Sequence, residues 1–202
     1  MRTLTRKGAA TRQRIIEGAA AHIREFGVAA TTLDDVLAMT ATSKSQMFHY
    51  FPGGREELLL AVAGYEADRV LDDQRPELGE LTSWPAWRSW RDKVVERYRG
   101  QGEQCPINTV LSAAGAHTPG ARAVLVELMR RWQDEIATGI RHMQRAGEAD
   151  PGLDADQAAS ALLAGIQGGV LIHMATGQTT HLEAALDNGI AQLRAGKPSS
   201  DR

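Results

Sequence analysis

Apolar residues recur along this chain three or four positions apart and almost nowhere at every second position, so the pattern predicts helices throughout. Ile15, Ile16, Ala19, Ile23 and Phe26 make the buried stripe of a first helix over about 9–26, which Gly27 ends. Thr32 and Asp35 then stand at capping-box spacing, with Leu33, Val36 and Leu37 behind them, and predict a short helix over about 33–39. Ser43 and Gln46 repeat the box and start a second short helix at Lys44. Met47 and Phe51 are its inward positions, which turns Lys44, Ser45, Gln46, His49 and Tyr50 outward. Pro52-Gly53-Gly54 forces a break, because proline lacks an amide and glycine tolerates sharp reversals. A long helix begins at Arg55 with Leu58, Leu59, Val62, Tyr65, Val70 and Leu71, and ends before Pro76.

The pattern continues in the same way beyond a loop at 76–85. Helices are expected from Trp84 or Pro85 to Tyr98, from Cys105 toward Ala114, over about 120–145, over about 154–176 and over about 182–195. The reading is an all-α protein of about nine helices, with a helix-turn-helix domain over 8–68 and a second helical domain over 69–198. Residues 1–8 carry Arg2, Arg6 and Lys7 with no acid, and read as a flexible arm on an anionic partner or as an idle tail.

Charge sharpens the picture. The chain has a net charge of −2, yet the stretch through Arg55 holds eight Lys/Arg against four Asp/Glu, and the remainder fifteen against twenty-one. A basic N-terminal third on an acidic body orients the molecule toward phosphate. The outward set from Lys44 to Tyr50 is polar, hydrogen-bonding and free of acids. A major groove about 12 Å wide admits such a helix and presents distinct donor and acceptor patterns. Gln pairs with adenine, Lys with guanine or phosphate, and Ser with either. The amide end of the helix at Arg55, with the Arg55 guanidinium, suits a phosphate.

Other chemistry is poorly supported. Cys105 is the only cysteine, so an intramolecular disulfide or a cysteine metal cluster is excluded, consistent with a cytoplasmic protein. A basic start without an apolar segment behind it argues against a secretion signal. The most apolar run, 158–175, is interrupted by Ser160, Gly165, Gln167, Gly168, Gly169 and His173, and reads as too short and too polar to span a bilayer. The pairs His173/His181 and His117/His142 lack ligand spacing, and Asp150, Asp154 and Asp156 precede a helix as caps do. No nucleophile elbow, phosphate loop or zinc spacing is present, so neither catalytic residue, metal nor cofactor is expected. A DNA-binding protein, a helical interaction module without specific DNA binding and, last, an enzyme remain as readings.

The quoted residues also carry a resemblance. Thr31-Thr32, Val36-Leu37, Ser43-Lys44, Met47-Phe48-His49-Tyr50-Phe51 and Arg55-Glu56-Glu57-Leu58 resemble the DNA-binding domain of TetR-family transcriptional regulators, over about the first third of the chain. The junction from Phe51 to Arg55, with Cys105-Pro106 further on, resembles the LmrA/YxaF-like branch. Three positions depart from the family pattern: Ala41 stands for the turn glycine, Thr42 for an apolar plug, and Phe48 for a tyrosine whose hydroxyl touches phosphate.

The resemblance implies that Thr31, Thr32, Ser43, Lys44, Ser45, Gln46, His49, Tyr50 and Arg55 meet double-stranded DNA. It implies a homodimer built from the last two helices, and a small-molecule effector held in the C-terminal domain. Trp87, Trp90, Asn108, Met129, Trp132, Met143, Gln167 and Met174 are the candidate lining, aromatic and sulfur-bearing with a few polar groups. The implied protein is a repressor released from a palindromic operator by a hydrophobic molecule.

Overall fold

The computed structural model describes residues 4–101 and 118–195. The described residues form eight α-helices and one 3-10 turn, without strands: α1 Arg6–Phe26, α2 Leu33–Thr40, α3 Lys44–Tyr50, α4 Gly54–Asp72, the turn Glu77–Glu80, α5 Trp84–Gln101, α6 Pro119–Arg145, α7 Ala155–Thr176 and α8 Thr180–Ala195. The helix expected from Cys105, and Asn108 within it, lie outside the described residues. Helix α1 starts three residues earlier than the apolar pattern predicts. The Thr5 hydroxyl accepts the Gly8 amide at 3.1 Å, and this cap draws Arg6 and Lys7 into the helix.

Contacts divide the chain into two units, with boundaries inside α4 between Arg69 and Val70 and inside α6 between Val126 and Glu127. In the first unit α1 crosses α2 at close range. A β-carbon on Gly18 would lie 2.3 Å from Thr40 Cγ2, so only glycine allows this approach. Ile15, Ile16, Ala19, Ala20 and Ile23 are buried as expected. Phe26 is not: it is 54% exposed, because it sits at the edge of the buried arc in the last turn, and Gly27 stops the helix before another turn covers it. The ring of His22 shields one face, with centroids 4.6 Å apart. Glu66 on α4 is buried and ion-paired with Arg24 of α1, with Arg69 3.8 Å away. This carboxylate ties α4 to α1 from inside the unit.

The second unit is built on Trp87, Trp90, Trp132, Ile136, Ile140, Met143 and Ile166, all of them fully buried. Trp87 and Trp90 meet edge to face at 5.7 Å and 88°, the arrangement that ring quadrupoles favour. Helices α7 and α8 run antiparallel: Gly169 faces Leu182, and Gly189 faces Leu162. Arg91 on α5 grips Asp187 on α8 with two hydrogen bonds of 2.8 and 2.9 Å.

Helix α7 departs from the expectation drawn from its sequence. It is 22 residues long, and by length and composition it is long and apolar enough to cross a bilayer. Its interrupting polar side chains, Ser160, Gln167 and His173, are too few to lower its hydropathy below that mark. Within the chain only 39% of its most apolar stretch is buried. The uncovered part is a stripe of Ala161, Ala164, Gly168, Leu171 and Ala175, with Leu171 64% exposed.

A β-carbon on Gly169 would meet the backbone of Leu182, with the α-carbon 2.5 Å and the nitrogen 2.8 Å away. Backbone cannot rotate aside as a side chain can, so overpacking outweighs the gain in helix propensity of about 1 kcal/mol. Gly169→Ala is expected to lower stability by about 1–3 kcal/mol, read as a fall in the thermal midpoint.

Candidate nucleic-acid interface

Eight- and seven-residue helices do not persist alone in water, so α2 and α3 depend on their ends and on their packing. Both capping boxes form. Thr32 Oγ1 accepts the Asp35 amide at 3.2 Å, while Asp35 Oδ2 accepts the Thr32 amide at 2.9 Å and the Thr32 hydroxyl at 2.6 Å. These bonds, the hydroxyl first, hold the Asp35 carboxyl below its ordinary pKa, so the cap is intact above the usual carboxylate range and is lost as pH falls through the lowered value. Ser43 Oγ accepts the Gln46 amide at 3.2 Å, and Gln46 Oε1 accepts the Ser43 amide at 3.0 Å.

The turn between them is left-handed. Ala41 sits at φ 48° and ψ 45°, and it is the only non-glycine residue with positive φ among the described residues. Thr42 plugs the turn as a buried residue with a polar solution. Thr40 donates to the Val36 carbonyl at 2.6 Å, and the Thr42 hydroxyl lies 2.9 Å from that of Thr40 and 3.2 Å from the Thr40 carbonyl. Met47 and Phe51 are fully buried, as their spacing predicts, and Arg12 of α1 stacks over the Phe51 ring at 5.1 Å.

This frame fixes where each candidate side chain stands. Lys44, Ser45, Gln46 and His49 are exposed on α3, while Met47 is buried. Lys44 and Ser45 make no hydrogen bond among the described residues, so their full capacity faces outward. Gln46 does not have its full capacity: its carbonyl oxygen is committed to the cap, which leaves the NH₂ group to donate. Adenine pairing through both atoms, as expected from the sequence, requires the cap to open. Ser43 keeps its hydroxyl proton to donate. Thr32 has its hydroxyl engaged as donor and acceptor.

Three further positions differ from the sequence expectation. Thr31 is buried: its hydroxyl donates to the Gly27 carbonyl at 2.8 Å and lies 3.0 Å from His22 Nδ1, so it closes the α1–α2 loop rather than facing out. Tyr50 is half-buried and its hydroxyl lies against α1 near Gly8. Arg55 is exposed but donates to the Val28 carbonyl at 2.8 Å, and Glu57 Oε2 accepts the Gly53 amide at 2.8 Å. The start of α4 thus already holds a carboxylate where the sequence suggested a phosphate. Phe48 is exposed on the same helix surface, and sequence reasoning marks it only as a departure from a family pattern.

In the second unit, Trp87, Trp90, Trp132 and Met143 are buried, and Met129, Gln167 and Met174 are partly exposed. Trp90 Nε1 donates to Gln74 at 2.9 Å. Trp87 Nε1, Trp132 Nε1 and Gln167 Nε2 are buried donors without a partner among the described residues. His173, which the sequence offered only as a weak metal ligand, is buried with Nε2 3.0 Å from the Tyr98 carbonyl and Nδ1 unpartnered. A lone histidine on an apolar helix was its one legible signal. A surface groove of about 870 Å³ runs along α5 beside Asp73, Glu77, Lys93 and Arg97, and none of the seven candidate lining residues among the described residues lines it. No group of three or more His, Cys, Asp or Glu able to hold a metal exists among the described residues.

Comparison with known proteins agrees with this geometry. Residues 15–62 match the family model described as bacterial regulatory proteins, tetR family, and residues 86–188 match the tetracyclin repressor-like C-terminal domain. An uncharacterized HTH-type transcriptional regulator of Mycobacterium tuberculosis is 31% identical over 137 residues, spanning 62% of this chain and 67% of that protein. The transcriptional regulator AcuR of Cereibacter sphaeroides is 25% identical over 163 residues, 79% of this chain and 74% of that one. A TetR-family regulator from Cytophaga hutchinsonii has a similar fold, with a TM-score of 0.74 at 22% identity, covering 99% of this chain and 100% of its own.

The left-handed alanine carries a steric cost of about 1 kcal/mol that glycine does not. Ala41→Gly is expected to stabilise the protein by up to about 1 kcal/mol, raising the thermal midpoint by roughly 2–4 °C. An unchanged or lower midpoint would contradict a strained turn.

Proposed function

The chain belongs to the TetR family of DNA-binding transcriptional regulators, and we propose that it works as a homodimeric, ligand-responsive repressor that reads a palindromic operator through α3. The observation that carries this reading is the division of α3 into a buried edge, Met47 with Phe51 behind it, and an exposed acid-free face of Lys44, Ser45, Gln46 and His49. Lys44, Ser45 and the Gln46 amide nitrogen are the base-reading groups. Ser43 and Arg55 serve phosphates, Arg55 with the guanidinium protons that Val28 leaves free, and Thr31 and Thr32 act by holding the start of α2. Tyr50 braces α3 on α1. The junction from Phe51 to Arg55 favours the LmrA/YxaF-like branch.

The dimer forms through α7 and α8. The stripe ending at Leu171 and Ala175 is apolar, continuous and uncovered within one chain, and a second copy would bury it in an isologous four-helix bundle. Small residues along it allow close approach. The effector occupies the second unit. Trp132 Nε1, Gln167 Nε2 and His173 Nδ1 are buried polar atoms that nothing among the described residues satisfies, and such atoms are costly to leave unpaired. Trp87, Trp90, Met129, Met143 and Met174 supply apolar surface; Asn108, expected in the same set from the sequence, lies outside the described residues. The mechanism is a population shift. With the two α3 helices one helical turn of DNA apart, about 34 Å, operator binding is strong. A ligand that prefers a different spacing weakens it, acting through α4.

Selection from a random duplex pool tests the operator reading, with an inverted repeat as the expected product. Lys44→Ala should then flatten preference at its base pair and cost about 1–3 kcal/mol. Arg55→Ala should weaken all duplexes alike and lower the salt slope by about one per protomer. Recovery of no preferred duplex would favour a helical interaction module instead. Because Leu171 is exposed in the single chain, Leu171→Glu should leave the fold intact and yield a monomer by sedimentation; a dimer that survives it would exclude α7 as the interface.

A further inference from the structure

On the proposed reading face of α3 every exposed side chain can hydrogen-bond except one. Phe48 is 43% exposed, while Met47 and Phe51, the residues beside it in the chain and one position beyond the helix end, are fully buried. The edge of the Phe48 ring rests at the α3–α4 junction, with Cε1 3.6 Å from where a β-carbon on Gly54 would stand. Gly54 has a left-handed φ of 64°, a conformation glycine adopts without strain, and it leaves the space beside the ring open. The other side of the ring is held out toward whatever α3 meets.

A phenyl ring offers duplex DNA neither donor nor acceptor, so phosphates and base-edge polar atoms gain nothing from it. One apolar group in the major groove differs between base pairs, the 5-methyl of thymine, and aromatic contact with it is an available form of direct readout. Phe48 lies one helical turn after Lys44 on the same stripe, about 6 Å along the axis. At 3.4 Å per step, that is about two base pairs. We infer that Phe48 is a specificity-determining residue that packs on the methyl group of a thymine in each half-site, about two base pairs from the pair contacted by Lys44. The inference rests on the proposal that α3 enters the major groove.

Replacement of each thymine in the selected operator by deoxyuridine, one at a time, tests it directly. Only the methyl is removed, and base pairing and charge are unchanged. For the wild-type protein, one position per half-site should lose about three- to fivefold in affinity, the value of one buried methyl. The Phe48→Ala variant should bind the thymine and uracil duplexes equally, and Phe48→Leu should keep part of the difference. An exposed side chain is replaced, so folding should persist; if the alanine variant does not fold, a thymine-to-uracil ratio smaller in Phe48→Leu than in the wild type makes the same test, and an unchanged ratio there overturns the inference. Insensitivity of the wild type to uracil at every position overturns the inference, as does an undiminished ratio in Phe48→Ala. Uniform weakening of all duplexes by Phe48→Ala, without a uracil effect, would mean contact with deoxyribose and overturns it too. A pool selection that returns no preferred duplex is a separate result: it removes the groove reading first, and this inference with it.

Discussion

The angle between two very short helices depends on a single left-handed residue, and the proposed DNA-reading surface inherits that angle. Neither α2 nor α3 has enough turns to be stable in isolation. They stand because each has a reciprocal cap, because Val36, Met47 and Phe51 are buried between them and α1, and because Ala41 accepts a backbone geometry that glycine would take more readily. The Thr40 and Thr42 hydroxyls complete the arrangement by supplying polar closure where an apolar plug would do the same by packing. Around this unit the constraints are backbone ones: Gly18 lets α1 touch α2, and Gly120 lets the start of α6 approach Leu60 of α4.

Much of this is legible in the sequence, for local reasons. Capping boxes are written in residues three apart, and both form as read. Met47 and Phe51 are identifiable as core from their four-residue spacing. The periodicity of α1, α4, α5, α6 and α7 places those helices to within a few residues. What escapes is non-local or arises from competition. The start of α1 is hidden because Thr5 carries a cap without an acid three residues on. Phe26 has the right phase for burial, but phase does not say where the covering elements end. Thr31 looks like an outward hydroxyl in sequence and is turned inward by Gly27 and His22. Glu66 carries no sequence signal at all, because its partner Arg24 is 42 residues away.

The candidate sites differ in the same way. The α3 face is readable because its residues are consecutive and share one helix. The proposed effector site is not, because Trp87, Trp132, Gln167 and His173 come from three helices and their common property is a missing partner. Absence of a hydrogen-bond partner has no sequence signature. The apolar stripe of α7 lies between these cases. Its composition announces excess apolar surface, but only the packed chain says which part stays uncovered.

In Gln46 one side chain has two employments. Its oxygen rests on the Ser43 amide, so the proposed adenine-reading group of α3 is held in a parked conformation. Reaching for a base with both atoms means leaving that rest, at a cost of about 1 kcal/mol for the one hydrogen bond given up. A base that can engage only one atom does not offset the departure, and the side chain stays parked. Discrimination at that step is then set partly before any DNA arrives, by how firmly the protein keeps its own glutamine at home.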